Sequence, residues 1–168
     1  MAKNRVIIVD PSVPRREEYV KHLRLKFDVH VVSDQKAAMK LFSESPPDAV
    51  AISFRQRSGH GLEVCKSLRA QGGGRDCFFM VYGEGPKKEE ARKAAIERFG
   101  VDSIISRALD GEAMEKVLSQ EITSWRRSRR TAAQDEAKKA ASSSSPSSWS
   151  DLLKADLSLK NIRSVFQR

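Results

Sequence analysis

The residues of this 168-residue chain that could do chemistry are few and widely spaced. Cys65 and Cys77 are its only thiols, and their separation matches no paired metal motif such as CxxC. Each lies in an apolar pattern, which predicts two buried, reduced side chains. His22, His30 and His60 are scattered and suggest no metal cluster. Gly72-Gly73-Gly74 lacks the lysine and hydroxyl of a phosphate-binding loop and follows a helical pattern, so it reads as a turn. Trp125 with Arg126, Arg127, Arg129 and Arg130 could contact phosphates and stack on a base. A charged helix end in solvent explains the same cluster, and no recognisable DNA-binding motif accompanies it. Nucleic acid is therefore the lesser expectation.

The elements that must position these residues are clearer. Five short apolar runs read as strands covered on both faces: Val6–Val9, Val29–Val32, Ala49–Ile52, Phe78–Val81 and Ile104–Ile105. Helical stripes lie between them. Tyr19, Val20, Leu23 and Phe27 form the first, and Ala37, Ala38, Leu41 and Phe42 the second. Leu62, Val64, Cys65 and Leu68 form the third; Ala91, Ala95, Ile96 and Phe99 form the fourth. Pro46-Pro47, the glycine triplet and Gly100 close the second, third and fourth helices. Asp110 caps a fifth, with Ala113, Met114, Val117, Leu118 and Ile122 as its buried stripe. This alternation predicts an α/β fold, a doubly wound five-stranded parallel sheet built by right-handed crossovers.

Beyond Ile122 the composition changes. Residues 1–121 carry 21 Lys and Arg against 18 Asp and Glu, a balance of +3, whereas residues 122–168 carry 10 against 4, or +6. The expected organisation is a domain over 1–122, a basic helical extension and Ser-rich linker over 123–148, and an amphipathic helix over 149–168. Leu152, Leu159, Ile162 and Phe166 make the apolar stripe of that last segment, behind a capping-box pattern of Ser148 and Asp151. Such a stripe needs a surface to bury it. No apolar run approaches the roughly 20 residues of a membrane span. The first residues show no secretory signal, so a cytoplasmic location is expected.

Order and spacing together resemble the receiver domain of two-component response regulators, over residues 5 to about 122. The resemblance rests on Arg5–Asp10, on Pro47–Ser53 with Gly61-Leu62-Glu63, and on Phe99–Arg107. It implies a phosphoacceptor aspartate, an acidic pair holding Mg²⁺, a switch hydroxyl and a lysine. At those places this chain has Ser53, Asp10 followed by Pro11, Tyr82 and Arg107, and Ala108 replaces the proline after the lysine. A serine hydroxyl is a poor nucleophile without a neighbouring base. One carboxylate remains where the family uses three, so Mg²⁺ should bind poorly. The expected function is a non-phosphorylatable protein-interaction module of bacterial signal transduction, with no catalytic residue, metal or cofactor. Its oligomeric state is left open. Its partners are proteins met through the C-terminal helix or the face of the fourth and fifth helices, roughly Pro86 to Ile122. The degenerate pocket should be closed, with Tyr82 filling it and turned toward Ser53 and Arg107. Binding of an anionic surface by the basic tail, and phosphorylation at an unusual residue, are the alternatives.

Overall fold

The computed structural model describes residues 2–144. The stripe Leu152, Leu159, Ile162 and Phe166 lies outside the described residues. In chain order the elements are β1 (Asn4–Val9), α1 (Val13–Leu23), β2 (Phe27–Val32), α2 (Gln35–Glu44), β3 (Ala49–Ser53) and α3 (Gly61–Arg69). A 3₁₀ turn (Gly74–Asp76) leads to β4 (Phe78–Tyr82), α4 (Glu89–Phe99), β5 (Ser103–Ile105) and α5 (Gly111–Ser144). The five strands are parallel in the order β2-β1-β3-β4-β5.

Side chains alternate across a strand, and here they divide two cores. Ile7, Val9, Val50, Ile52, Phe79 and Val81 face α2, α3 and α4 and pack on Phe42, Cys65 and Leu68. Val6, Ile8, Ala51, Phe78 and Met80 face the other way, against Tyr19 and Leu23 of α1 and Met114, Leu118 and Ile122 of α5. Burial on both sides explains the continuous apolar runs of β1, β3 and β4, whereas the edge strands β2 and β5, expected to be covered on both faces, are only partly buried because each has a neighbour on one side alone.

Polar punctuation fixes the helix ends. The Asp34 carboxylate accepts from the Ala37 amide at 2.9 Å, and that of Asp110 from the Ala113 amide at 2.7 Å. Gly100 closes α4 at φ 70°, in the left-handed region that favours glycine.

Four helical expectations need correction. Phe27 belongs to β2, because the chain turns after Leu23 and the Lys26 amide bonds back to the Leu23 carbonyl. Val20 is left 41% exposed on α1. Helix α4 buries only Ala95, and Ile96 is 37% exposed, because α4 packs chiefly against α3 and β5. The glycine triplet does not itself end α3, which stops at Arg69; Gly73 is left-handed and Gly74 opens the 3₁₀ turn.

The chain forms two compact units, residues 1–125 and 126–168. In the second, residues 127–142 are exposed helix, and Ser142–Ser144, expected as linker, still belong to α5.

Candidate functional site

In an open parallel sheet the crevice forms where the strand order reverses, outside the carboxyl ends of the strands. Here that point lies between β1 and β3. Asp10 follows the last residue of β1, Ser53 ends β3, and Tyr82 ends β4 directly opposite Ser53 in the register. Both Asp10 and Ser53 are buried polar residues, 0% and 4% exposed.

The Asp10 carboxylate is surrounded by donors from this chain. One oxygen, Oδ1, accepts from the Ser12 amide at 2.8 Å and from Arg15 Nη2 at 3.1 Å. The other, Oδ2, accepts from Arg15 Nε at 2.9 Å and from the Tyr82 hydroxyl at 2.6 Å. A carboxylate has about four lone-pair sites, and these four donors fill them. Arg16 Nη1 adds a bond of 2.8 Å to the Asp10 backbone carbonyl. The Arg15–Asp10 pair is a side-on fork, the strong geometry for guanidinium and carboxylate. Its hydrogen bonds to Asp10, foremost, raise the Arg15 pKa above the ordinary value.

Tyr82 is therefore directed at Asp10, not at Ser53 and Arg107 as expected. The carboxylate is the strongest acceptor in reach, and it draws the phenol proton. Burial, then the neighbouring Tyr19 ring and the Asp10 charge, push the Tyr82 phenol well above its ordinary pKa, so it stays a donor. Tyr19 supports it from α1, edge to face with ring centroids 6.0 Å apart. The Tyr19 hydroxyl donates to the Leu109 carbonyl at 2.7 Å, and burial raises its pKa to about 12.

The pocket is narrowed rather than closed. A cavity of about 120 Å³ remains beside Ser53, lined by Arg15, Arg55, Tyr82, Gly83, Ala108 and Leu109, among others. Arg55 pairs with Glu84 at its rim. Arg107 does not line it. That residue is exposed and borders an open depression with Asp110, Glu112 and Lys116, while Ala108 and Leu109 take its place in the cavity wall. Pro11 contributes no donor or carboxylate, but it leads into Ser12, the N-cap residue of α1.

Arg15, Ser12 and Tyr19 do not stand out as site residues in the sequence. One signal was present. A helix N-terminus favours acidic residues, yet α1 has none in its first turn and places Arg15 and Arg16 there. Two cations in that position point to an anion nearby.

These residues do not fit the Mg²⁺ that the resemblance implies. Mg²⁺ needs an octahedral shell with carboxylate oxygens, and both Asp10 oxygens are already saturated by protein donors, one of them a cation. Among the described residues no three His, Cys, Asp or Glu side chains come together as a metal site.

Known proteins agree with this fold. No family model matches the chain. The response regulator MprA of Mycolicibacterium vanbaalenii is 32% identical over 69 residues, covering 40% of this chain and 30% of that protein. The chain thus matches less than a third of its curated relative's length. Among solved structures, the chemotaxis response regulator CheY4 of Vibrio cholerae superposes with a TM-score of 0.61 at 19% identity, over 71% of this chain and 99% of that one. A CheY-like receiver domain from Methylobacillus flagellatus gives 0.59 at 20% identity, over 71% and 99%. The receiver domain of an HD domain-containing protein from Pseudomonas fluorescens Pf-5 gives 0.63 at 14%, over 77% and 94%. The chain has the fold of response-regulator receiver domains.

Proposed function

We propose that this chain is an interaction module of bacterial two-component signalling that works without a phosphoryl switch. The observation that carries the reading is the Asp10 carboxylate, buried and saturated by Ser12, Arg15 and Tyr82. Phosphoryl transfer to a receiver depends on an acceptor carboxylate and on cation charge to offset the developing negative charge. Here Ser53 stands in the acceptor position, and Asp10 has no lone pair left for a metal. The module is not an enzyme in this reading. Its partner is a protein, met through the segment 149–168 or through the α4–α5 face. On that face Lys87, Lys88, Glu89, Glu90, Lys93, Glu97 and Arg98 are exposed, while Arg92 is half-buried and donates to the Ile104 carbonyl at 2.8 Å. No helix among the described residues is long and apolar enough to cross a membrane, in keeping with the cytoplasmic location proposed here.

Acetyl phosphate with Mg²⁺, followed by intact-mass measurement, should leave the chain unmodified. A stable phosphoryl adduct on Ser53 or Asp10 would overturn the reading. Ser53→Asp alone should stay equally inert, because Asp10 remains occupied.

A second reading has one observation in its favour. Arg127, Arg129 and Arg130 are exposed within about one turn of α5, a concentration of positive charge suited to an anionic surface. Affinity for duplex DNA falling steeply with salt, and lost on neutralising these arginines, would select it.

A further inference from the structure

Arginine is an unfavourable residue for the first turn of a helix, whose N-terminus already carries partial positive charge. Helix α1 nonetheless places Arg15 and Arg16 there, and both donate to Asp10, one to its side chain and one to its backbone carbonyl. Asp10 is wholly buried, while the Arg15 side chain is 42% exposed. A buried carboxylate needs a compensating charge, and in this pocket the compensation comes from the chain itself.

We propose that Arg15 is a tethered counter-ion, whose guanidinium occupies the place at Asp10 that a divalent cation would otherwise take and holds Tyr82 turned inward whatever the cation concentration. Three features of the geometry support this. The fork contacts both carboxylate oxygens, so a cation approaching either one meets a guanidinium within hydrogen-bond distance of it. Arg15 Nε and the Tyr82 hydroxyl share Oδ2, so the arginine orients the oxygen that receives the phenol. Gly83 follows Tyr82, with φ 108°, and its amide bonds to the carbonyls of Ile105 and Arg107 at 3.0 and 3.1 Å. The carboxyl ends of β1, β4 and β5 are thus joined in one network made only of this chain's groups. A tethered group also acts at high effective concentration, so ions in solution compete with it poorly.

The test uses the full chain and needs no partner, so it stands or falls separately from the phosphodonor experiment. Thermal unfolding in about 10 mM MgCl₂ should match that in NaCl of equal ionic strength, since only a ligand bound to the folded chain raises Tm. Arg15→Ala should lower Tm by about 4–8 °C or more. It should also shift the Tyr82 signal in the fluorine spectrum of 3-fluorotyrosine-labelled protein, where the chain's two tyrosines give two resonances. Methylguanidinium, but not NaCl, should restore both in a saturable way. If Arg15→Ala does not fold, Arg15→Lys, which keeps the charge without the fork, should show a lower Tm and a shifted Tyr82 resonance relative to the unaltered protein, and an unchanged Tm and resonance would overturn the proposal. A rise in Tm of the unaltered protein with Mg²⁺ would overturn the proposal. So would an Arg15→Ala protein with unchanged Tm and an unmoved Tyr82 resonance, or one that NaCl restores equally.

Discussion

Tyr82 donates the one proton of its phenol to the buried Asp10 carboxylate, and that single bond joins β4 to the end of β1. Tyr82→Phe keeps the ring and its packing on Tyr19 but removes one of four donors from a buried anion. Hydrogen bonds to charged groups contribute about 1.5–3 kcal/mol, so a urea titration should show a loss of that order with an unchanged m-value. A second consequence at this scale concerns alkali. Burial raises the Cys65 thiol from 9.0 to about 12 and the Tyr19 phenol from 10.0 to about 12. Both pKa values are raised in the folded chain, so the stability they contribute is fully present below the unfolded values and is lost as pH rises through the folded ones. The window runs from the unfolded values of 9.0 and 10.0 up to about 12. Stability measured at about pH 10.5 should be about 1–2 kcal/mol lower than at about pH 8 from Cys65 alone. Cys65→Ala should flatten that part of the slope, and a profile that stays flat in the unaltered protein would contradict the assignment.

Between residue and domain stand the turns that deliver each strand end to the site. Gly61 opens α3 immediately after the loop from Ser53, and its amide donates to the Phe54 carbonyl at 2.8 Å. A β-carbon there would lie 2.4 Å from the Ser53 carbonyl oxygen and 2.9 Å from Ile52 Cγ2. The backbone of β3 or the loop must move to admit it. Gly61→Ala should therefore cost about 1–3 kcal/mol, read as a lower denaturation midpoint, although the residue is far from Asp10 in sequence. The strands themselves are legible in the sequence, because the runs at Val6–Val9, Ala49–Ile52 and Phe78–Val81 are continuous, apolar and punctuated by glycine or proline. Phe27 is not, since an aromatic four residues beyond Leu23 fits a helical stripe as well as the start of a strand; only the turn at Arg24–Lys26 separates them. The positions of Asp10, Ser53 and Tyr82 at the carboxyl ends of adjacent strands follow from the strand pattern. The bond between Asp10 and Tyr82 does not, because it depends on Arg15 reaching back across the helix N-terminus, a contact that no periodicity encodes. Arg107 is a related case: the sequence places it after β5, but its direction is set by the loop, in which Leu109 is buried while Arg107 stays exposed and Ala108 with Leu109 lines the cavity.

At the scale of the whole molecule, the near-neutral receiver-fold unit contrasts with the +6 of residues 122–168. That contrast sets the charge of the C-terminal part apart from the unit that holds the pocket. The last segment carries Leu152, Leu159, Ile162 and Phe166 at helical spacing. Burying each of these side chains contributes roughly 1.5–3 kcal/mol, against an ordering cost of about 2–5 kcal/mol for a short segment. Docking of the segment on a surface that buries the stripe is the expected outcome. Residues 1–125 form a compact unit with two complete cores, so a chain ending at Trp125 should unfold cooperatively with nearly the Tm of the full protein. Replacing Leu159 and Phe166 together by Asp in the full chain should likewise leave that Tm unchanged while abolishing partner capture, and the peptide 142–168 alone should capture the same partner. A double variant that instead lowers the Tm of the receiver-fold unit would show that the segment packs on its own domain and is structural. A variant that changes neither would transfer the docking role to the α4–α5 face, where charge reversal at Lys87, Lys88 and Lys93 is the next experiment.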